Sequence, residues 1–274
     1  MNKAESPRIS IVMPSYNQAQ YIERSILSII NQNYADVQLI IIDGGSDDGT
    51  INIINKYIKY IDHFVSEADD GQSDALNKGF KLADGEIYGW LNSDDIYLEN
   101  AFHSAVEAFQ NNDSKSIVFG DWLSIDKNDN VNDHHFAFDF SLSHFKYEGF
   151  HLNAQSMFWL KSVHERFNGF ELSLYNTMDY QMILEFGINE GSESFLRVPQ
   201  LYGAFRRYYG QKTAGVTEKV FNEHIFMAKK YKYEDKYALI GQIKRIFFRF
   251  RRSLWYLRRG GFKELIKRLK VAYF

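Results

Sequence analysis

Four clusters of polar residues in the first hundred positions carry the side chains that could do chemistry. They are short runs of hydroxyl, amide and carboxyl groups separated by glycine, at residues 14–17, 43–50, 70–79 and 92–95. The last cluster, Asn92-Ser93-Asp94-Asp95, directly follows an apolar run. Adjacent carboxylates at a strand end suit a divalent cation on a nucleoside diphosphate, because Mg²⁺ and Mn²⁺ bind one or two carboxylates together with substrate phosphates.

Each cluster also has a purely structural interpretation. Asn17, Asp47 and Asp48 are residue types that commonly cap a helix, and one of Asp94 and Asp95 could cap a helix that follows them. The chain has neither the G-x-G-x-x-G loop of dinucleotide-binding proteins nor the G-x-x-x-x-G-K-[ST] loop of P-loop proteins. These two classes of nucleotide-binding site are therefore excluded.

The elements that must position these clusters alternate between strand and helix. Apolar or β-branched runs predict strands at residues 9–13, 37–42, 63–66 and 86–91. Apolar residues at helical spacing predict helices at 19–31, 50–60 and 73–83. This βαβαβαβ order is typical of a parallel, doubly wound α/β sheet, and such sheets bind ligands beyond the carboxyl ends of their strands. All four polar clusters begin at those ends.

The pattern changes after about residue 100. We predict a helix at 98–111, strands at 116–120 and 122–125, a turn at 126–130 and a helix at 175–186. Residues 131–160 are rich in histidine and aromatic side chains and show no clear periodicity.

Composition limits the class of protein. The chain has 274 residues, 45% of them hydrophobic, and no cysteine, which excludes disulfides and thiolate metal sites and fits a reducing compartment. Residues 1–8 lack the apolar core of a signal peptide, and no apolar run approaches the roughly 20 residues of a spanning helix. We therefore expect a protein that is soluble or lies on a membrane surface.

The net charge of −3 conceals a strong asymmetry. Residues 241–274 contain eleven Lys and Arg and one acid, a balance of +10, which leaves −13 for the rest of the chain. The basic residues alternate with aromatic ones and are interrupted at Gly260-Gly261, a pattern that predicts two short amphipathic helices. An anionic membrane surface is the partner such helices favour. Nucleic acid is disfavoured by the acidic body, and packing on the body or on a second subunit is the third alternative.

In order and spacing, the four clusters resemble the inverting glycosyltransferases of family 2, which have the GT-A fold. The family pattern runs P-x-Y-N, then (V/I)-D-D-G-S-x-D-x-T, then G-x-x-x-A-R-N-x-G, then D-x-D-D. The matching residues are Pro14, Tyr16 and Asn17; Asp43, Ser46, Asp48 and Thr50; Gly71, Ala75, Asn77 and Gly79; and Asp94 and Asp95. The resemblance is specific over residues 8–100 and looser to about residue 215.

The resemblance implies a fold and a domain organisation. The fold is α/β of the GT-A type, a Rossmann-like and mostly parallel sheet with flanking helices, followed by C-terminal amphipathic helices. Residues 1–215 would form the catalytic domain, with a nucleotide-binding half at 1–100 and an acceptor half at 101–215. Residues 216–274 would form the basic helical region.

The resemblance also assigns roles around a UDP-sugar donor. Asp43 would bind the uracil, with the loop of Pro14, Tyr16 and Asn17 around the base, and Asp94 would hold Mn²⁺ or Mg²⁺ between the phosphates. The other residues expected to contact the nucleotide are Gly71, Asp74, Asn77, Asn92 and Ser93.

Two positions depart from the family pattern. Gly44 replaces its second aspartate, and Asn92 replaces the first aspartate of D-x-D. Asn92 can still hydrogen-bond a ribose. Asp94 is left as the main protein charge on the metal.

The family places its catalytic base on a later helix in an E-D-Y context, which Met178-Asp179-Tyr180 matches with methionine in place of glutamate. Asp179 would then take the proton from the acceptor hydroxyl; the alternative is an aspartate exposed on a helix. A basic loop that closes over the donor diphosphate would contain Arg206, Arg207 and Lys212, and the alternative for it is a solvated loop.

Together these features predict an inverting transfer of a hexose or N-acetylhexosamine from a UDP-sugar. The basic tail favours a saccharide acceptor linked to polyprenyl diphosphate, in O-antigen or other surface polysaccharide synthesis, at the cytoplasmic face of the cell membrane. A homo-oligomer is compatible with this scheme. Two alternatives stay open: a sugar nucleotidyltransferase, although residues 14–20 lack its Gly-rich basic loop, and a non-catalytic, membrane-associated sugar-nucleotide-binding protein, which Gly44 and Asn92 favour.

Overall fold

The computed structural model describes residues 6–149, 152–212 and 218–271. The strands are β1 Ile9–Ser15, β2 Val37–Asp43, β3 His63–Ser66, β4 Ile87–Trp90, β5 Ile96–Tyr97, β6 Ile117–Ile125, β7 Val131–His135, β8 Met157–Leu160 and β9 Phe195–Arg206. The helices are α1 Ile22–Ile30, α2 Thr50–Lys56, α3 Gln72–Leu82, α4 Ala101–Gln110, α5 Leu142–Glu148, α6 Lys161–His164, α7 Met178–Glu190, α8 Glu218–Lys230 and α9 Leu239–Val271. Short 3₁₀ turns cover Ile58–Tyr60, Ala154–Ser156 and Ser192–Ser194.

One mixed sheet runs through the described residues in the order β3-β2-β1-β4-β8-β6-β9-β5, and β7 pairs with β6 outside this path. The strands β3, β2, β1 and β4 are parallel, which confirms the predicted βαβαβαβ start. The chain then adds β8 antiparallel to β4 and β6 antiparallel to β8, and returns to a parallel pair at β6 and β9.

Each face of the sheet is covered by helices, so the inner strands are apolar on both sides. On β1, Ile9, Ile11 and Met13 point to one face, where they pack with residues of α1, α2 and α4. Val12 points to the other face and packs with α3 and α7. The period-2 alternation of a strand divides a continuous apolar run between the two cores.

The parallel strands bring the polar clusters to one edge. Ser15 is in register with Asp43, and Asp43 with Ser66, so the ends of β1, β2 and β3 lie side by side. The loop after β4 leaves the same edge, because β4 is parallel to β1.

The structure corrects several predicted element bounds. The two strands predicted at 116–120 and 122–125 are one strand, β6 Ile117–Ile125, whose register with β9 shifts around Asp121. The predicted helix at 50–60 is an α-helix only to Lys56, and the one at 175–186 begins at Met178. Residues 131–160 contain β7, α5 and β8 despite their lack of periodicity.

The C-terminal region consists of α8 and α9, and α9 is interrupted at Gly261, whose φ of 68° and ψ of −166° are not helical. The predicted break at Gly260-Gly261 is therefore confirmed. One face of α9 packs on α5: Phe248 is buried against Tyr147, and Arg252 Nη2 lies 2.8 Å from Glu148 Oε1. Within the described ranges no helix is both long and apolar enough to span a membrane.

Candidate active site

A pocket of about 920 Å³ opens at the carboxyl ends of β1, β2, β3 and β4. This volume lies within the roughly 300–1,000 Å³ typical of small-molecule sites. Its walls come from the loop after β1, from Gly44 and Asp48, from the start of α3, from the loop after β4 and from residues 205–212. Pro14, Tyr16 and Asn17, predicted to surround a base, all line it, and Tyr16 is 62% exposed.

The loops after β1 and β2 hold each other in place. The Asn17 N–H donates to Ser46 Oγ at 2.7 Å, and the Gln18 N–H donates to Thr50 Oγ1 at 2.8 Å. Asp48 accepts from the Thr50 N–H at 3.0 Å beside the first turn of α2, but the N-cap residue of this helix is Gly49, which corrects the interpretation of Asp47 or Asp48 as its cap. Asn17 takes a φ of 51°, a backbone conformation that asparagine tolerates better than most residues. These hydrogen bonds join the two loops where they line the pocket.

The structure corrects the role predicted for Asp43. Its side chain is fully buried, and its carboxylate accepts hydrogen bonds from the N–H groups of Gly45 and Ser46 and from the hydroxyls of Ser46 and Ser66, at 2.6–3.1 Å. A carboxylate with four donors has little capacity for a further ligand. Asp43 therefore shapes the loop after β2, and its neighbour Gly44 lines the pocket instead.

Asp69 lines the pocket directly opposite Gly44. A Cβ atom placed on Gly44 would lie 3.0 Å from Asp69 Oδ2 and 3.1 Å from Oδ1. Oδ1 accepts the Gly71 N–H at 2.8 Å, and burial raises the pKa of the Asp69 carboxyl. Asp69 lies one residue before the third polar cluster and was not among the predicted site residues.

The two carboxylates after β4 have different surroundings. Asp95 is fully buried and accepts the Arg206 N–H at 2.8 Å and the Asn92 amide at 3.1 Å. Asp94 lines the pocket, and its Oδ2 accepts the Tyr208 hydroxyl at 3.0 Å. Burial raises the pKa of both carboxyls, most strongly that of Asp95, which the charge of Asp94 raises further. Of the pair, Asp94 is the one placed to meet a ligand.

Asn92 lines the pocket, but most of its hydrogen-bonding groups are bonded to other residues of the protein. Its carbonyl oxygen accepts from Trp90 Nε1 and Gln72 Nε2, each at 2.8 Å, while its amide donates to Asp95. An aspartate here would place a second carboxylate against the buried Asp95, and like charges at this distance repel. Asparagine at position 92, where the family pattern has aspartate, therefore fits its surroundings. The neighbouring Ser93 also lines the pocket.

The residues present fit a divalent cation that is coordinated mainly by the phosphates of a bound nucleotide and by one side chain of the protein. Among the described residues there is no group of three or more acids or histidines arranged around a common metal position. Asp94 alone offers a carboxylate after β4 that reaches the pocket. Mg²⁺ is commonly held by one or two carboxylates and completed by phosphates and water, so Asp94 suffices only when a diphosphate supplies further oxygens.

Arg206 does not reach the pocket, which corrects its predicted contact with a diphosphate. Its side chain is fully buried, where it donates to the Asp94 carbonyl at 2.7 Å and to the Asp126 carbonyl at 3.0 Å and pairs with Asp129. It also lies over the Tyr21 ring, 4.8 Å from the centroid. Arg207 is exposed at the surface and does not contribute to the pocket walls as the structure describes them.

The residues of this segment that do line the pocket are Phe205, Tyr208, Gly210, Gln211 and Lys212. The Tyr208 ring packs 4.7 Å from that of Tyr21, and its hydroxyl bonds Asp94. Lys212 Nζ donates to Gln72 Oε1 at 3.1 Å and lies 4.4 Å from the Tyr175 ring centroid. Desolvation of the ammonium by its neighbours lowers the pKa of Lys212 to about 8 although the residue as a whole remains exposed. Of the three cations predicted to contact the diphosphate, Lys212 is therefore the one that the structure brings to the pocket.

Three predicted residues belong to α3 or its start. Gly71 lines the pocket with a φ of 98°, a conformation that favours glycine. Asp74 instead pairs with Lys78 at 3.1 Å, and Asn77 exchanges two hydrogen bonds of 2.8 Å with the backbone of Phe170. Neither side chain is part of the pocket walls among the described residues, so the structure does not bring Asp74 and Asn77 to the predicted nucleotide site. Both residues are structural.

Asp179 lies in the first turn of α7; it is not among the described residues that line the pocket, but the charge of the pocket residue Lys212 acts on its carboxyl group. Burial raises the pKa of its carboxyl to about 7, and the charge of Lys212 opposes this shift. A carboxylate with a pKa near neutrality is suited to proton transfer. The start of the helix is fixed by Glu223, which accepts the N–H groups of Tyr175, Asn176 and Thr177 at 2.7–3.0 Å.

The sequence model of the family described as Glycosyl transferase family 2 matches residues 10–167, more than half of the chain. The chain belongs to glycosyl transferase family 2. The matched range contains β1 to β4 and all four polar clusters. This membership favours glycosyl transfer over the nucleotidyl transfer that the sequence left open.

Relatives of this family-2 chain include bacterial proteins. An uncharacterized glycosyltransferase of Nostoc sp. is 31% identical over 114 residues, which are 40% of this chain and 35% of the relative. A chondroitin synthase of Escherichia coli is 32% identical over 129 residues, 46% of this chain and 18% of the relative. The chain thus covers about a third or less of the length of these relatives.

Two solved structures have the same architecture as this family-2 chain. Staphylococcus aureus TarS 1–349 in complex with UDP-GlcNAc superposes with a TM-score of 0.66 and 18% identity, over 93% of this chain and 75% of that one. The mannosyltransferase PcManGT from Pyrobaculum calidifontis, in complex with GDP-Man and Mn²⁺, superposes at 0.62 with 14% identity, over 98% of this chain and 81% of that one. The predicted GT-A fold is confirmed.

Proposed function

We propose that this chain is an inverting glycosyltransferase that takes a hexose or N-acetylhexosamine from a UDP-sugar. The observation that carries the proposal is the pocket at the parallel strand ends, which combines the Asp94 carboxylate, the exposed Tyr16 ring and the Lys212 ammonium. These groups suit a metal-bound diphosphate, a base and phosphate oxygens respectively. Structures of the same fold were solved with UDP-GlcNAc and with GDP-Man.

The reaction is a single displacement at the anomeric carbon. Asp179 takes the proton of an acceptor hydroxyl while that oxygen attacks the carbon from the side opposite the diphosphate, and the bond from the carbon to the diphosphate oxygen breaks. A positioned base contributes about 10²–10⁴-fold to such a rate. Lys212 and the Tyr208 hydroxyl orient the diphosphate at the pocket mouth. Mn²⁺ or Mg²⁺ held by Asp94 would neutralise charge on the departing group.

The test is UDP release from a panel of UDP-sugars with Mn²⁺, measured for wild type and Asp94→Ala. We expect release from one donor and its loss in the variant. The matched control is Asp113→Ala, which removes an exposed acid far from the pocket walls and is expected to keep wild-type rates. Absence of both UDP release and calorimetric UDP binding in the wild type would contradict the proposal.

We further propose that α9 holds the enzyme on an anionic membrane surface. Seven large apolar residues before Gly261 are exposed: Leu239, Ile240, Ile243, Ile246, Phe247, Phe250 and Leu254. At about 100° per residue they fall within one stripe about 120° wide. The exposed Arg251 and Arg258 lie along one edge of this stripe, as expected of a helix that inserts aromatics between lipids and keeps cations at headgroup level.

A membrane location supports a lipid-linked acceptor. We propose a saccharide on polyprenyl diphosphate, used in surface polysaccharide synthesis at the cytoplasmic face of the cell membrane. The test compares transfer to a lipid-linked and a water-soluble form of the same saccharide in the presence of phosphatidylglycerol vesicles. Faster transfer to the lipid-linked form is expected, and equal rates would contradict the proposal.

A further inference from the structure

We propose that Asp69 selects the base of the donor, in place of the carboxylate that Gly44 lacks. The inference rests on the proposed function, because it concerns how the same pocket distinguishes nucleoside diphosphates. It assigns base recognition to the loop before α3, whereas the family resemblance assigned it to Asp43 at the end of β2.

The first step is the space beside Gly44. A Cβ at this position would lie 3.0–3.2 Å from three atoms of the Asp69 carboxyl group. Gly44 is not among the glycines with positive φ, so its backbone does not require glycine. A side chain at this position would instead press on the Asp69 carboxyl group, which would have to shift by a few tenths of an ångström. The carboxylate of Asp69 therefore occupies the region where an aspartate at position 44 would begin.

The second step is the state of the other acids near the base-binding loops. Asp43 is buried and fully bonded, and Asp48 accepts from Thr50 and from the Ala19 N–H. Asp94 lies after β4 and is bonded by Tyr208. Asp69 uses Oδ1 for the Gly71 N–H at 2.8 Å. Its Oδ2 has no donor within the part of the chain that the structure describes.

The third step is the chemistry of the bases. An ionised carboxylate only accepts hydrogen bonds. Uracil presents an N–H at ring position 3, which a carboxylate can accept, whereas cytosine presents a lone pair there and would be repelled. The two pyrimidines have the same size, so their discrimination isolates this contact. Hydrogen bonds to charged groups make a difference of about 10- to 100-fold in affinity.

The test measures the dissociation constants of UDP and CDP by calorimetry for wild type and Asp69→Asn. Asparagine keeps the oxygen that accepts the Gly71 N–H and turns an amide toward the pocket, so the loop keeps its turn while the charge is lost. We expect the wild type to prefer UDP and the variant to lose at least tenfold of this preference. The matched control is Asp70→Asn, the same change one residue along at an exposed position.

A second variant moves the carboxylate across the pocket wall. In Gly44→Asp combined with Asp69→Ser, the shorter serine vacates the space beside position 44 and can still accept the Gly71 N–H. We expect this double variant to recover the preference for UDP over CDP that Asp69→Ser alone loses. Thermal unfolding of each variant shows whether the fold is retained.

The outcomes separate this inference from the function on which it rests. A wild type that binds neither nucleotide overturns both. A wild type that prefers UDP, with an unchanged preference in Asp69→Asn, overturns the role of Asp69 and leaves the glycosyltransferase proposal intact. Loss of preference in Asp69→Asn but not in Asp70→Asn, with recovery in the double variant, supports the assignment.

Discussion

At the scale of single residues, replacing the two adjacent aspartates after β4 is expected to have different effects on stability and on UDP release. Asp95 is buried and holds the Arg206 N–H and the Asn92 amide. Asp95→Ala leaves these donors without an acceptor, and we expect the free energy of unfolding to fall by about 1–3 kcal/mol. Asp94→Ala removes the acceptor of the Tyr208 hydroxyl at the pocket wall, and we expect a smaller change in stability together with loss of UDP release.

Urea denaturation at pH 7.5 measures this difference. Comparable losses of stability in the two variants would show that the structural and ligand-facing roles are not divided as described. Retained UDP release in Asp94→Ala would count against its position in the site.

Asp179 gives the reaction a predicted pH dependence. The pKa of its carboxyl is about 7 in the folded chain, against 3.8 in an unfolded one. A base must be ionised, so the transfer rate should rise as the pH increases through about 7. In Asp179→Asn the rate should fall about 10²–10⁴-fold and lose this acid limb. A pH profile of single-turnover transfer from pH 5 to 9 measures both.

The same shift predicts the pH dependence of stability. Because the folded pKa is raised, the protonated carboxyl contributes stability that is complete below pH 3.8 and is lost as the pH rises through about 7. Asp179→Asn should therefore gain stability relative to wild type between pH 5 and pH 8. A difference that stays constant across this range would mean that the pKa of Asp179 is not raised in the folded chain.

At the scale of elements, the end of β9 is anchored by Arg206. This side chain joins the loop after β4 to the turn between β6 and β7 through the Asp94 and Asp126 carbonyls and Asp129. Removing one partner of a buried ionic network costs about 3 kcal/mol or more. We expect Arg206→Ala to lose stability of this order and to weaken UDP binding, since Tyr208 and Lys212 follow directly.

Arg207→Ala is the matched control, because the side chain of Arg207 is exposed. It should leave both the midpoint of urea denaturation and the UDP dissociation constant near wild-type values. If the two variants behaved alike, the anchoring role of Arg206 would be wrong.

An element could be predicted from the sequence when the residues that determine it lie close together along the chain. The strands β1 to β4 and the helices between them were predictable, because each has its own apolar period and turn residues. The parallel pairing of β6 with β9 joins segments about 80 residues apart, and no local pattern contains it.

At the site, residue type was predictable and side-chain direction was not. The edge of the sheet and the ligand-facing position of Asp94 followed from strand order and the family pattern. Asp43 and Arg206 have suitable chemistry but turn inward, and only their hydrogen-bond partners reveal this. The sequence contained one indirect signal for Asp69. Gly44 replaces an aspartate of the family pattern, and Asp69 is an acid just before the third polar cluster. Tyr208 was contained in the predicted basic loop but carried no signal of its own.

At the scale of the whole molecule, the exposed stripe of α9 should govern membrane attachment. Phe247→Asp with Phe250→Asp places two charges in this stripe, on residues that are 55% and 62% exposed. Since the opposite face of α9 packs on α5, we expect the fold and UDP binding to be unchanged. Binding to phosphatidylglycerol vesicles in a sedimentation assay should be lost.

The matched control is Leu172→Asp, which adds a charge at another exposed leucine, 52% exposed and outside α9. Wild type and control should sediment with phosphatidylglycerol vesicles and much less with phosphatidylcholine vesicles. Equal sedimentation of the double variant and the control would contradict attachment through this stripe.

The distance along the chain between the walls of the pocket has a consequence for biosynthesis. One wall begins at Pro14 and another ends at Lys212, so the site is incomplete until nearly two hundred further residues have left the ribosome. At about 5–20 residues per second this takes roughly 10–40 s. During that time the first strands of a nascent chain receive no stabilisation from the donor. Donor present in the cell can therefore assist only the last stage of folding.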